Sequence, residues 1–143
     1  MSQDPTLMHQ EVREIPDAVE RLLSHGGGPI RTAAALARAA DPRYFISVAR
    51  GSSDHAATFL KYASELLLGR PMASVGPSVS SIYGVSLDAR DAVGLSVSQS
   101  GQSPDIVAMT DALRQSGALT VAITNNDASR LAKVADVTLP IHA

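Results

Sequence analysis

The hydrophobic positions follow two different periods along the chain. Met8, Val12 and Ile15 recur at helical spacing, and Val19, Leu22 and Leu23 continue the pattern. Asp4-Pro5 reads as an N-cap followed by a first-turn proline, and Pro16 predicts a kink or a restart. His25-Gly26-Gly27-Gly28-Pro29 predicts a break, and Ile30 to Ala40 a short alanine-rich helix closed by Asp41-Pro42. From there the pattern alternates. Short apolar runs predict strands at 44–49, 72–75, 92–97, 119–123 and 136–141. Helical patterns at 54–68, 104–115 and 128–134 separate them, and 77–83 reads as a short helix. The strand runs are apolar without strict alternation, as expected for strands buried on both faces. The expectation is an α/β, three-layer, doubly wound domain with a five-stranded parallel sheet, preceded by N-terminal helices. Ligands of such sheets bind beyond the strand C-termini at a topological switch point.

Composition narrows the function. The 143 residues make one ordinary domain. With 45% hydrophobic and 18% charged residues the chain is a folding one, not a disordered one. A net charge of −2 offers no footprint for nucleic acid or an anionic membrane. There is no cysteine, so thiolate chemistry, disulfides and cysteine-ligated zinc are excluded. No apolar run reaches the roughly 20 residues of a spanning helix, and a soluble, cytoplasmic protein is expected. His9, His25, His55 and His142 are scattered without metal-ligand spacing, so no metal or other cofactor is expected.

The 17 serines are not evenly spread. The first predicted strand ends in Arg50-Gly51-Ser52-Ser53-Asp54-His55. The third ends in Ser98-Gln99-Ser100-Gly101-Gln102-Ser103-Pro104. Each loop runs into a helix, whose start offers free N–H groups and a partial positive charge. Glycine allows close backbone approach, and hydroxyls add small neutral donors. Two such loops at neighbouring strand ends point to a phosphate cradle. The same residues also serve turns and caps. Walker-type, dinucleotide and nucleophile-elbow fingerprints are all missing. Arg50 could face the phosphate or pair with Asp54. Asn125 and Asn126 could meet ligand or build a turn. His55, Lys61, Glu65 and Asp127 read as helix-surface or turn residues.

With these motifs in view, the chain resembles the sugar isomerase (SIS) domain family. The resemblance rests on Arg50-Gly51-Ser52-Ser53-Asp54, Ser98-Gln99-Ser100-Gly101-Gln102-Ser103-Pro104-Asp105 and Ile123-Thr124-Asn125. Met8 with Glu11-Val12-Arg13-Glu14-Ile15-Pro16 is similar to the family's leader helix. The resemblance implies a flavodoxin-like SIS domain at 41–143 with leader helices at 1–40. It implies a phosphosugar ligand met by Ser98, Gln99, Ser100 and Ser103, with Ser52 and Ser53 beside the sugar and Gly51, Gly101 and Arg50 in support. Within the family the chain looks most like the N-terminal half of tandem-domain proteins. These are the amino-sugar-phosphate deaminase/isomerases and the isomerase half of glutamine–fructose-6-phosphate aminotransferase. The first loop, Arg-Gly-Ser-Ser where the aminotransferase usually has Cys-Gly-Thr-Ser, lies closer to the deaminase-like group. The resemblance further implies a homodimer, a second SIS domain beyond residue 143, and no catalytic residue in this chain. The alternative is a non-catalytic sugar-phosphate sensor.

Overall fold

A computed structural model describes residues 6–143. Two helices open the chain, α1 (Leu7–His25) and α2 (Gly27–Ala40). The sheet strands are β1 (Tyr44–Val48), β2 (Met72–Ser74), β3 (Ala92–Val97), β4 (Leu119–Thr124) and β5 (Val137–Pro140). Between them run α3 (Ser52–Ala63), extended by a π-helical turn at Ser64–Leu68, then α4 (Ser78–Ser81), α5 (Pro104–Gln115) and α6 (Arg130–Val134). All neighbouring strands are parallel, and their order is β2-β1-β3-β4-β5. This is the flavodoxin-like order, whose switch point lies between β1 and β3.

Strand pleating divides the core in two. Phe45, Val93 and Val121 face α2 and α3, packing with Met72, Leu60 and Ala37. Ile46, Val48 and Ala122 face the other way, onto Ile106, Met109 and Leu113 of α5 and Leu131 of α6. Successive strand residues point to opposite faces, so one strand feeds both cores. That explains the near-continuous apolar strands. The buried hydroxyls of Ser96 and Thr110 satisfy each other at 2.7 Å, and Thr110 also donates to the Ile106 carbonyl.

Several boundaries differ from the sequence reading. Asp4-Pro5 lies outside the described residues; the cap of α1 is Thr6, whose hydroxyl accepts the His9 N–H at 3.3 Å. α1 continues through Pro16 instead of restarting. The expected five-residue break shrinks to Gly26 alone, because Gly27, Gly28 and Pro29 form the first turn of α2. First-turn N–H groups have no intrahelical acceptor, so proline loses nothing there. α3 begins two residues earlier than expected, at Ser52, which brings both loop serines into its first turn. α6 starts at Arg130 instead of residue 128, because Ser129 caps it through the Ala132 N–H.

Asp136 closes the far edge of the fold. Its carboxylate accepts the Thr120 N–H at 2.9 Å, the Thr120 hydroxyl at 2.8 Å and the Arg114 Nε–H at 2.7 Å. Burial alone would raise this carboxyl. The hydrogen bonds outweigh burial, and the group sits below its ordinary 3.8. A carboxyl lowered in the folded state adds stability that is full above its unfolded value, near 4, and disappears as pH falls through the folded value. Asp136→Asn should therefore cost about 1–3 kcal/mol at pH 7. In thermal melts the gap from wild type should close on acidification below about pH 4. A gap unchanged at pH 2 would refute this account.

Candidate functional site

The two serine loops meet at the switch point. Ser47 of β1 pairs in register with Leu95 of β3, and Val48 with Ser96, so the strands deliver both loops to one end of the sheet. Gly51 turns the chain out of β1 with φ +59 and ψ −136, a conformation that a side chain would strain. Ser52 and Ser53 follow in the first turn of α3. Ser52 is exposed and Ser53 half-buried.

The second loop is held more tightly. Ser98 is buried, and its hydroxyl accepts the Gly101 N–H at 3.2 Å. The Ser100 hydroxyl is exposed and accepts the Gln102 N–H at 3.3 Å. Ser103 is the N-cap of α5 in extended conformation, yet its side chain makes no cap bond. Its hydroxyl therefore remains available beside the first-turn N–H groups, which have no intrahelical acceptor. Ser98 thus holds the loop's shape, whereas Ser100 and Ser103 present donors outward. The Gln99 carbonyl takes the Asn125 N–H at 3.0 Å and the Thr124 hydroxyl at 3.2 Å, while the Gln99 residue as a whole is exposed.

Gly101 is where the loop has least room. Its φ is +63, and a Cβ there would lie 2.2 Å from Ser129 Oγ, 2.6 Å from Ser129 Cβ and 2.8 Å from Thr124 Oγ1. The Gly101 carbonyl accepts the Leu131 N–H at 3.0 Å. The β3–α5 loop is therefore pressed against the β4–α6 loop. Thr124 and Ser129, both fully buried, were given no site role by sequence. Thr124 lies inside the Ile-Thr-Asn stretch, but nothing local marks it as the wall behind Gly101.

The remaining candidates separate. Arg50 pairs with Asp105 of α5, not with Asp54. The Asn126 side chain accepts the Ala128 N–H at 2.9 Å, a turn role. Asn125 exchanges hydrogen bonds with the backbone of Ala143. His55 is exposed on α3. A cleft of about 620 Å³ opens beside the Arg50–Asp105 pair, lined also by Ser78, Ser81 and Ile82. It lies next to the serine cradle and does not include it.

This is a parallel α/β domain with two hydroxyl-rich, helix-starting loops at its switch point. The SIS domain family matches residues 40–143, and the chain belongs to that family. Arabinose 5-phosphate isomerase KdsD from Pseudomonas aeruginosa is 32% identical over 143 residues, covering 97% of this chain and 43% of that protein. Glutamine–fructose-6-phosphate aminotransferase [isomerizing] from Pyrobaculum aerophilum is 31% identical over 137 residues, 92% of this chain and 22% of that protein. The structure of a candidate phosphosugar isomerase from Silicibacter pomeroyi DSS-3 is 55% identical with TM-score 0.91, covering 94% of this chain and 41% of that one. The chain spans less than half the length of each.

The packing around Gly101 is directly testable. Gly101→Ala should cost about 2–4 kcal/mol, from the left-handed backbone and from overpacking together. Gly69→Ala is the control: Gly69 has φ +63 and ψ 24, a Cβ there meets nothing within 4 Å, and the change should cost only about 1–2 kcal/mol. Urea unfolding of both variants measures the difference, and equal losses would remove the role given to Ser129 and Thr124.

Proposed function

We propose that this domain binds a sugar phosphate and is the phosphate-anchoring part of a phosphosugar isomerase. The observation that carries this is the uncommitted Ser103 hydroxyl at an open helix start, with the β1–α3 serine loop delivered to the same end of the sheet. Ser100 and Ser103 take the phosphate oxygens, with first-turn N–H groups of α5 behind them. Gln99 adds a polar side chain, and Ser98 holds Gly101 in place. Ser52 and Ser53 lie beside the sugar hydroxyls. Phosphate binding at a point remote from the reacting carbons supplies orientation.

The parent reaction is aldose–ketose isomerisation: ring opening and proton transfer between C1 and C2, with loss or gain of ammonia for an amino sugar. That requires a general base held against the substrate carbon. No lysine lies in either loop. Asp54 lies in the first turn of α3, Asp105 is spent on Arg50, and His55 is exposed. The acid–base groups are therefore assigned to positions outside these two loops. The arabinose 5-phosphate isomerase likeness supports the isomerase arm. The first-loop sequence favours the amino-sugar arm.

Calorimetric titration with arabinose 5-phosphate, glucosamine-6-phosphate and fructose-6-phosphate, against the unphosphorylated sugars, tests the reading. Phosphorylated sugars alone should bind. Ser103→Ala should weaken binding about tenfold, the loss of one hydrogen bond to a charged group. Ser100→Asp should abolish it by setting a negative charge against the phosphate. Equal affinity for phosphorylated and plain sugars, or unchanged affinity in Ser100→Asp, would overturn the assignment. Coupled assays of the chain alone should show neither isomerisation nor ammonia release.

A further inference from the structure

The ion pair between Arg50 and Asp105 joins the end of β1 to the start of α5 across the β1/β3 crevice. Asp105 is the second residue of α5, two positions from Ser103, and its side chain is 20% exposed. A carboxylate there favours the helix dipole while the cradle is empty. It also competes with the anion proposed to sit at that helix start, because two like charges at close range disfavour each other. The Arg50 side chain, 65% exposed, is anchored among the described residues on this carboxylate.

We infer that Arg50 is a positioning residue for the phosphate cradle: it neutralises Asp105 and ties the Ser52–Ser53 loop to the α5 start, and it is not itself a phosphate ligand. This deepens the sugar-phosphate reading and rests on it. Arg50 follows directly on β1, and Ser52 and Ser53 begin α3 two residues later. The guanidinium contact therefore sets the spacing between the two serine clusters. It also offsets the carboxylate nearest the α5 start, so that hydroxyls and N–H groups there meet the anion. Arginine suits the role because its planar guanidinium matches the geometry of a carboxylate.

A double-mutant cycle distinguishes this from direct phosphate contact. Calorimetry with arabinose 5-phosphate, glucosamine-6-phosphate and inorganic phosphate is run on wild type, Arg50→Ala, Asp105→Asn and the double variant. Arg50→Ala should weaken phosphosugar binding about tenfold when Asp105 is present. In the Asp105→Asn background the same change should alter affinity less than twofold. Arg50→Lys should recover part of the loss, through charge without the planar fork. Equal losses in both backgrounds would make Arg50 a phosphate ligand and overturn the inference. Amide exchange over residues 100–106 supplies a ligand-free readout. Arg50→Ala and Asp105→Asn should each speed exchange equally, and the double variant no further. Exchange unchanged by Arg50→Ala would also overturn the inference. Failure of wild type to bind any phosphate would sink the sugar-phosphate reading instead, and the exchange cycle would then decide the tie between the loops alone.

Discussion

The close approach of Gly101 to Ser129 and Thr124 is the constraint on which the site depends. It lets the β3–α5 loop lie flat against the β4–α6 loop, where Asn125 N–H reaches the Gln99 carbonyl and Leu131 N–H reaches the Gly101 carbonyl. Those contacts hold the start of α5, and with it Ser103, relative to the sheet. Ser129 both forms this wall and caps α6, so one buried hydroxyl serves two loops. A rigid frame behind a loop is what a binding site needs if small hydroxyls are to meet an anion in a fixed arrangement.

Around that frame the charges are arranged sparingly. The two loops carry serines and amides, and Arg50 and Asp105 beside them are committed to each other. The other ion pairs lie away from it. Arg90 with Asp88 closes the turn before β3, and the guanidinium holds the Asp88 carboxyl down at about 2. Arg114 with Asp136 ties α5 to the β5 approach. The phosphosugar reading thus relies on oriented dipoles, which carry no competing counter-ion, in place of a basic patch.

Apolar surface is distributed unevenly. α1 has no buried residue, and Met8, Val12 and Ile15 stand more than half exposed. On α3 and its π-helical turn, Phe59, Tyr62 and Leu66 are likewise exposed. Three of the five aromatic residues, Phe59, Tyr62 and Tyr83, lie on the surface instead of in either core. The sheet's own core is built from smaller side chains, chiefly Ala, Val and Ile with Met109 and Leu113, which suits close helix–sheet packing.

The amino-acid pattern alone determined the class of fold. Five apolar runs without alternation can be satisfied only by a sheet covered on both faces, and the loops after the first and third were legible as helix-starting, serine-rich turns. Local chemistry sufficed there, since hydrophobic period and turn residues act within a few positions of one another. Three things lay beyond its reach, and each involves residues far apart in the chain. Helical spacing in α1 said which positions share a face, but not that this face would be left open, because burial depends on what packs against it. Sequence proximity made Asp54 the natural partner for Arg50; the tertiary fold chose Asp105, 55 residues away, because strands β1 and β3 lie side by side. The need for glycine at 101 likewise comes from Ser129 and Thr124, which approach it only once β3 and β4 are paired. Periodicity reports a residue's own conformation, whereas the wall behind a loop and the partner of a charge are decided by the order in which strands assemble.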